Sequence, residues 1–494
     1  MKQGQPSLIV GLDGQPMAAA YEGATRAPRG AGWDAPSDGP NRALQSAGPT
    51  LRNRSRAAYR NGCFLRSGIS KNVTTEVGRG IQLISTSDDP EYRAAINQIW
   101  KRQQFVLDPC GVLSWGGQLA QIVRARRMSG EVFIRRTRTR RKVSGIVPLQ
   151  LQILESDLCP MELNRTLKDN RRIVQGVEFV GDRRVAYWFY KEHPNDNQAW
   201  SNGASLANLI RVSARDVIHH YNPTRPGQVR GEPDATTSLL KGKTFADYDD
   251  AELMRKENRA AFTGALYREA HDDDHEYDPQ TGRALYADSQ TYETQVEVRA
   301  GSMLRMLPGE NMTLFDGDST GSGYADFMRW QSLQIAAGME TPYPVLTGDW
   351  AGLSDRTVRA IMDGYQRSIG ADQHNLTGFQ VCFRVWRWFV EEAVVMGLVK
   401  APGFADNPWR FLAVDIRPDA WRHLHPTQDI QAREKRIANQ LSSAEAEAAE
   451  CGTDIEDNMK RNARAIKRWE EICEEEGLDY VPQMSGIFKQ ETSE

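Results

Sequence analysis

The chain has 494 residues, 40% of them apolar and 26% charged, with 62 Lys and Arg against 65 Asp and Glu for a formal net charge of −3. That length and apolar content suffice for a large core and more than one structural unit, while the near-neutral balance excludes a surface that coats nucleic acid uniformly with positive charge. No segment approaches the ~18 uninterrupted apolar residues of a membrane helix and the N-terminus lacks the apolar stretch of a signal peptide, so synthesis and folding are expected in the cytosol.

Residues 1–50 are rich in Gly, Pro and Ala and show no sustained periodicity. Such a segment is expected to be a mobile arm that orders only against a neighbour. Residues 51–80 turn helical, with Ala57, Ala58, Cys63, Leu65, Ile69 and Val73 at three- and four-residue spacing until Gly78 and Gly80 stop them. Further helices are expected over 90–105 and 115–128, then strands over 131–138 and 148–154 around a Lys142–Gly145 turn, and over 177–180 and 185–190 around Gly181-Asp182. Residues 51–242 therefore read as an α+β unit.

The turns Arg225-Pro226-Gly227 and Gly231-Glu232-Pro233 mark the exit from that unit. A charged helix follows over 243–268, in which Phe245, Tyr248, Met254 and Phe262 belong to a narrow apolar seam. A helix with so little apolar surface calls for a neighbouring helix, one from another subunit included. Residues 269–322 read as a small, mainly β insertion with strands over 294–298 and 303–307, and a second helix over 323–341 carries Tyr324, Phe327 and Ile335 away from it.

Thr341-Pro342-Tyr343-Pro344 breaks the chain and residues 342–354 form a loop. Ser354 is the expected cap of a long helix that ends at Gly397, reaches on the order of 60 Å, and bends at Gly364, Gly370 and Gly378. Its expected core stripe includes Tyr365, Ile369, Leu376, Phe379, Phe383 and Trp386, and a strand is expected over 411–415. Residues 426–494 form helices over 426–441, from the Ser443 cap to Cys451, and from the Asp454 cap to Gly477, then a tail. The six cysteines lie far apart without a Cys-x-x-Cys pair, the pattern of reduced, mostly buried thiols.

Several motifs invite a chemical reading. His271-Asp272-Asp273-Asp274-His275-Glu276 crowds metal-ligating side chains but matches neither an EF-hand nor a zinc signature, so a solvated acidic loop is the expected reading and no cofactor or metal is assigned. Gly317 to Gly323 superficially resembles a phosphate loop, but Tyr324 stands where the lysine would be required. Arg135, Arg136, Arg138, Arg140 and Arg141, with Arg124, Arg126, Arg127 and Lys142, form a strong basic cluster that either contacts DNA phosphates or makes a solvated or subunit-facing surface. His219 and His220 sit in an expected strand as structural histidines. The loop residues Leu346, Thr347, Asp349 and Trp350, with Arg356 and Arg359, would be presented where three helices meet.

A resemblance joins these parts. His219-His220 ahead of Arg225-Pro226-Gly227-Gln228, then Arg230-Gly231, Asp247-Tyr248 and Ala251-Glu252, resemble the lambda-type portal proteins of tailed phages. So do Leu307-Pro308-Gly309-Glu310, Tyr324 to Phe327, Ile335 to Gly338 and Leu346 to Asp349, with echoes at Arg126 to Glu131 and Leu149 to Asp157. The ordered motifs span roughly residues 50–480. This resemblance implies a portal fold with an α/β wing (51–242), two stem helices (243–268 and 323–341), a β-containing clip (269–322), a tunnel loop (342–354), a long kinked helix with a return to the wing (355–425) and a helical crown with a C-terminal tail (426–494). The arm before Leu51 and the tail after about Gly477 carry no matching residues and take no family role.

The same resemblance implies a homo-oligomeric ring, usually of twelve subunits, at one vertex of the virion capsid, assembled in the host cytoplasm. Double-stranded DNA would pass through its channel during packaging and ejection. Terminase, head-completion or connector proteins, and capsid and scaffold proteins are the implied partners. A near-neutral channel suits sliding, because many phosphate contacts would make binding tight and salt-dependent. The leading expectation is a structural, non-enzymatic conduit. The alternatives are a metal-dependent nuclease built on Asp272 to Asp274, and a ring-forming scaffold that never contacts DNA.

Overall fold

The computed structural model describes residues 35–139, 145–195, 208–261, 264–268, 280, 310–314, 323–421 and 425–477. Helix formation begins earlier than periodicity suggested. Pro40 occupies the first turn of α1 (Pro40–Asn61), so the last part of the expected arm is helical. Gly62, with extended backbone at φ −102° and ψ 120°, separates α1 from α2 (Cys63–Val77), dividing what read as one helix. The buried face of α1 is Leu44, Gly48, Arg52 and Ser55, a stripe with one large aliphatic side chain, which explains why an apolar pattern did not reveal it.

Helices α3 (Pro90–Gln103) and α4 (Trp115–Ser129) lie close to their expected bounds. Asp89 caps α3 by accepting hydrogen bonds from the amides of Glu91 and Tyr92, and Gly130 ends α4 in the left-handed region at φ 88°. A three-stranded antiparallel sheet follows in the order β3-β2-β9, built from β2 (Glu131–Arg138), β3 (Leu149–Leu154) and β9 (Val217–Tyr221). Ile134 at its centre pairs with Ile153 on one side and Ile218 on the other. A five-stranded antiparallel meander comprises β4 (Arg165–Thr166), β5 (Arg171–Val174), β6 (Val177–Val180), β7 (Arg183–Tyr190) and β8 (Leu209–Ser213). Phe133, Tyr187, Phe189, Val212 and Val217 form an apolar layer joining the two sheets.

Helix α5 (Leu239–Ala261) starts before the predicted position and stops short of it. Residues 264–268, expected as helix, form strand β10 (Gly264–Arg268), paired antiparallel with β11 (Glu310–Leu314). The predicted strands at 294–298 and 303–307, the acidic run from His271 to Glu276, and most of the glycine-rich run before Gly323 lie outside the described residues. The chain returns through α6 (Tyr324–Gly338) and a short helix α7 (Tyr343–Thr347).

The long helix is continuous but not uniform. It runs as α8 (Asp355–Asp372), a π-helical stretch (Gln373–Cys382) and α9 (Phe383–Val395). The wider turn of a π-helix rotates the following residues relative to an α-helical register. Phe379, expected in the core, is therefore 68% exposed, while the polar Gln373 and Thr377 are buried. Of the three glycines expected as bend points, Gly378 lies in the π stretch and Gly364 and Gly370 lie in α8.

The main core centres on Trp100, whose ring meets Trp115, Trp386 and Phe389 edge-on at 5.9, 5.7 and 4.9 Å. The expected strand over 411–415 is instead helix α10 (Trp409–Leu412) followed by β12 (Val414–Arg417). Strand β12 pairs with β1 (Gln82–Ser85), which puts Gln82 opposite Arg417. Helices α11 (Pro426–Ala438), α12 (Ala444–Glu450) and α13 (Ile455–Glu476) complete the described chain. The Ser443 and Asp454 side chains cap α12 and α13 as anticipated, and Gly477 closes α13 at φ 65°. All six cysteines are free thiols, but Cys63, Cys110 and Cys451 are exposed, so they are not mostly buried.

Candidate functional site

The loop between α6 and α8 is held from below by α2. The Ser67 hydroxyl donates to the Leu346 carbonyl at 2.7 Å. Asn72 donates to the Met339 carbonyl at 3.4 Å and accepts from Thr341 at 3.0 Å and from the Tyr365 hydroxyl at 2.7 Å. Gly68 permits this close seating, since a Cβ there would lie 2.6 Å from the Met339 methyl and 3.0 Å from Leu346 Cδ1. Thr347 donates to the Tyr343 carbonyl and accepts from the Asp349 amide, and Asp349 in turn accepts from the Ala351 amide at 3.0 Å. The Ser354 hydroxyl accepts from the Thr357 amide and starts α8.

This framework sorts the candidate residues. Leu346 is 2% exposed and belongs to the main core, so its expected place on a DNA-facing surface is corrected. Thr347 is half-buried in the loop's own hydrogen bonds, and Arg359 is paired with Asp355 at 3.0 Å through Nε. Asp349, Trp350 and Arg356 remain exposed on a fixed backbone, with Trp350 at 40%.

Helices α5 and α6 lie side by side above this loop. Tyr248 stacks on Tyr324 and meets Phe327 at 5.0 Å, the Tyr324 hydroxyl donates to Asp249, and the Lys256 ammonium lies 5.0 Å from the Tyr324 ring centre. Phe245 meets Phe64 of α2 edge-on at 5.2 Å, and Ile335 is buried in the main core. The pair nevertheless leaves Leu240, Leu253, Met254 and Trp330 exposed, the last at 66%. Phe262 lies outside the described residues.

Four of the nine members of the basic cluster, Arg126, Arg127, Arg136 and Arg138, are paired with carboxylates within the chain. Arg136 binds Asp216 at 3.0 Å through Nε and lies over the Trp388 ring, and Arg138 binds Glu392 at 3.0 Å. Arg135 is half-buried, and Arg140 and Arg141 lie outside the described residues. Arg126 and Arg127 are buried around Glu76, with Asp234 and Asp372 beside them. Burial alone would raise the Glu76 carboxyl, but the two guanidiniums and the Thr377 hydroxyl outweigh it and hold it down to about 2. This centre escaped the sequence reading. Its one available signal is that Glu76 is the only acidic residue between Asp38 and Asp88.

The two histidines are locked in neutral form. His219 Nε2 lies 2.9 Å from Glu131 and its Nδ1 lies 3.2 Å from the Arg184 guanidinium, an arrangement that requires a proton on Nε2 and a free pair on Nδ1. His220 Nδ1 lies 2.8 Å from Gln380 Oε1, which also accepts from the Tyr221 amide. Burial pushes them down to about 4 and about 3. Strongly shifted groups often mark catalytic sites, but structural ion-pair networks shift them too. Here Glu76, Glu131 and His219 are held by named protein partners, while His220 is held through Nδ1 by Gln380 and its Nε2 is buried without a partner among the described residues. Glu155, Asp157 and His193 also approach one another, but Arg56 and Arg52 already lie against the carboxylates, at 3.4 Å from Glu155 and 3.2 Å from Asp157.

Comparison with known proteins follows the same lines. Residues 26–373 match the model of a family described as phage portal protein, lambda family. A probable portal protein of Halomonas phage phiHAP-1 is 25% identical over 345 residues, covering 69% of this chain and 64% of its own length. The portal protein of Escherichia phage N15 is 22% identical over 60% of this chain and 59% of its own, and portal protein B of Escherichia phage lambda 23% over 53% and 54%. The chain thus spans between about half and just under two thirds of these curated relatives. A chain from the virion of a native gene transfer agent particle superposes with a TM-score of 0.45 at 12% identity, covering 86% of this chain and 96% of that one.

Proposed function

The chain belongs to the lambda family of phage portal proteins, and from that membership we propose that it assembles into a closed ring at one capsid vertex and conducts double-stranded DNA during packaging and ejection. The observation that carries the ring is the α5–α6 pair. Leu240, Leu253, Met254 and Trp330 are exposed on two adjoining helices that meet through the Tyr248, Tyr324 and Phe327 rings. Apolar area of that kind is stabilised by covering it, and rotational neighbours in a ring cover every copy alike.

The remaining roles follow from family resemblance. In this reading 51–242 serves as wing, α5 and α6 as stem, and residues 342–354 as tunnel loop with Asp349, Trp350 and Arg356 towards the channel. The ring has twelve copies, docks terminase and head-completion proteins through the clip, and meets capsid and scaffold proteins around the wing. It is assembled in the host cytoplasm and carried in the virion. The role is structural rather than catalytic, and the nuclease alternative gains no support from the family match. Among the described residues no helix is long and apolar enough to cross a membrane.

The native mass of the full chain tests the ring. A species near twelve copies of 55.6 kDa is expected. A stable monomer with a sharp unfolding transition would overturn it. Magnesium- or manganese-dependent DNA cleavage, lost on Asp272→Ala with Asp274→Ala, would overturn the non-catalytic reading.

A further inference from the structure

Helix α13 changes sign along its length. Residues 460–468 carry Lys460, Arg461, Arg464, Lys467 and Arg468 and no acid, whereas residues 470–476 carry Glu470, Glu471, Glu474, Glu475 and Glu476 and no base. At 3.6 residues per turn the five cations fall on one face, and Glu471, Glu474 and Glu475 continue that face beyond them. Acids in the last turn are the wrong sign for a helix C-terminus, and no basic residue offsets them there.

Little among the described residues answers these charges. Lys460 pairs with Glu456, while Glu456 and Asp457 at the start of the helix meet Arg93 and Lys101 of α3. Among the described residues no ion pair engages Arg461, Arg464, Lys467, Arg468 or the five glutamates. Met459, Trp469 and Ile472 are exposed on the same helix.

We propose that α13 docks on α13 of the adjacent copy, with the acidic block of one helix against the basic block of the next. A straight helix cannot bring its own two blocks together, whereas a second copy of this chain carries both signs at the matching spacing. The block centres lie about nine residues apart, ~14 Å at ~1.5 Å per residue. Inclined helices related by rotation about a ring axis meet with such an offset, and each copy then uses both ends, as a head-to-tail contact requires. Charge matching of this kind sets register and partner more than raw affinity. The contact rests on the ring reading.

Charge reversal in the full-length chain tests it. Arg464→Glu, Lys467→Glu and Arg468→Glu together reverse the basic face, and Glu471→Lys, Glu474→Lys and Glu475→Lys reverse the acidic one. Native mass spectrometry at about physiological ionic strength reads the ring, and far-UV circular dichroism checks that the helix persists. Each reversal alone is expected to lose the ring species. The sixfold swap, and a one-to-one mixture of the two reversed chains, are expected to regain it. Reversed chains that assemble like the wild type would overturn the contact and leave the ring standing. Loss that neither the swap nor the mixture repairs, with the helical circular dichroism signal kept, would overturn the contact as well. A monomeric wild type would remove the ring and this contact together.

Discussion

Glu76 on α2 accepts a 2.6 Å hydrogen bond from Thr377 in the π-helical stretch, and both side chains are fully buried. Gln373, one turn earlier, donates to the Glu76 carbonyl at 2.7 Å, so the irregular part of the long helix is fastened to the same residue that neutralises Arg126 and Arg127. Removing that charge takes away the cluster's one fully buried carboxylate and leaves the two buried guanidiniums to the partly exposed Asp234 and Asp372. Glu76→Gln is expected to cost about 3–5 kcal/mol, the range for breaking a buried pair from one side. Thermal unfolding measures it; a change under about 1 kcal/mol would mean the cluster relaxes to solvent.

Acid should weaken the fold in two windows. His219 and His220 are pushed down to about 4 and about 3, whereas in the unfolded chain each titrates near the ordinary ~6.5. Below that value the unfolded chain binds protons the folded chain refuses, so stability falls with pH, by up to ~1.4 kcal/mol per unit per histidine. Glu76, held down to about 2, adds a lower window that opens below the ordinary carboxylate value of ~4.3. Denaturant melts between about pH 7 and pH 5 should show the first slope, and His219→Gln with His220→Asn should flatten it. An unchanged slope in the double variant would place the proton uptake elsewhere.

The buried and exposed residues around this loop should separate cleanly. Leu346→Ala opens a cavity in the main core and is expected to cost about 2–5 kcal/mol. Trp350→Ala and Arg356→Ala should leave stability and native mass nearly unchanged while altering DNA retention after packaging. Retention indistinguishable from wild type in both surface variants would remove the loop from the channel wall.

The paired arginines of β2 should behave as structure. Arg136→Ala and Arg138→Ala release Asp216 and Glu392 from their partners. Filter binding across a salt series is expected to show no change in the slope of DNA affinity, because both guanidiniums already carry a carboxylate partner. A slope reduced by about one per arginine would restore the DNA-contact reading.

What could be read from sequence was local. Ser354, Ser443 and Asp454 announce their helices because a cap bonds to amides two or three residues away. Helix α1 could not be seen, since its buried face uses Gly48, Arg52 and Ser55 and is held by ion pairs to Asp157. The stripe of the long helix slipped at Phe379 because periodicity assumes one helical pitch. Residues 264–268 continued an apolar spacing that looked helical, while their strand partner lies at 310–314. The Glu76 centre assembles side chains 50, 51 and 301 positions away, and no spacing rule reaches that far.

The pairing of β1 with β12 sets a timetable for synthesis. Leu83 has its strand partner at Ile416, and the Tyr92 hydroxyl donates to the Phe411 carbonyl, so the main core is closed by residues translated more than three hundred positions after those they cover. A nascent chain paused anywhere before that return keeps apolar side chains of α2, α3 and α4 uncovered, the condition in which chaperones bind and aggregation competes. Folding of this core therefore waits until Arg417 has been made, and chains truncated ahead of it should be removed by proteolysis.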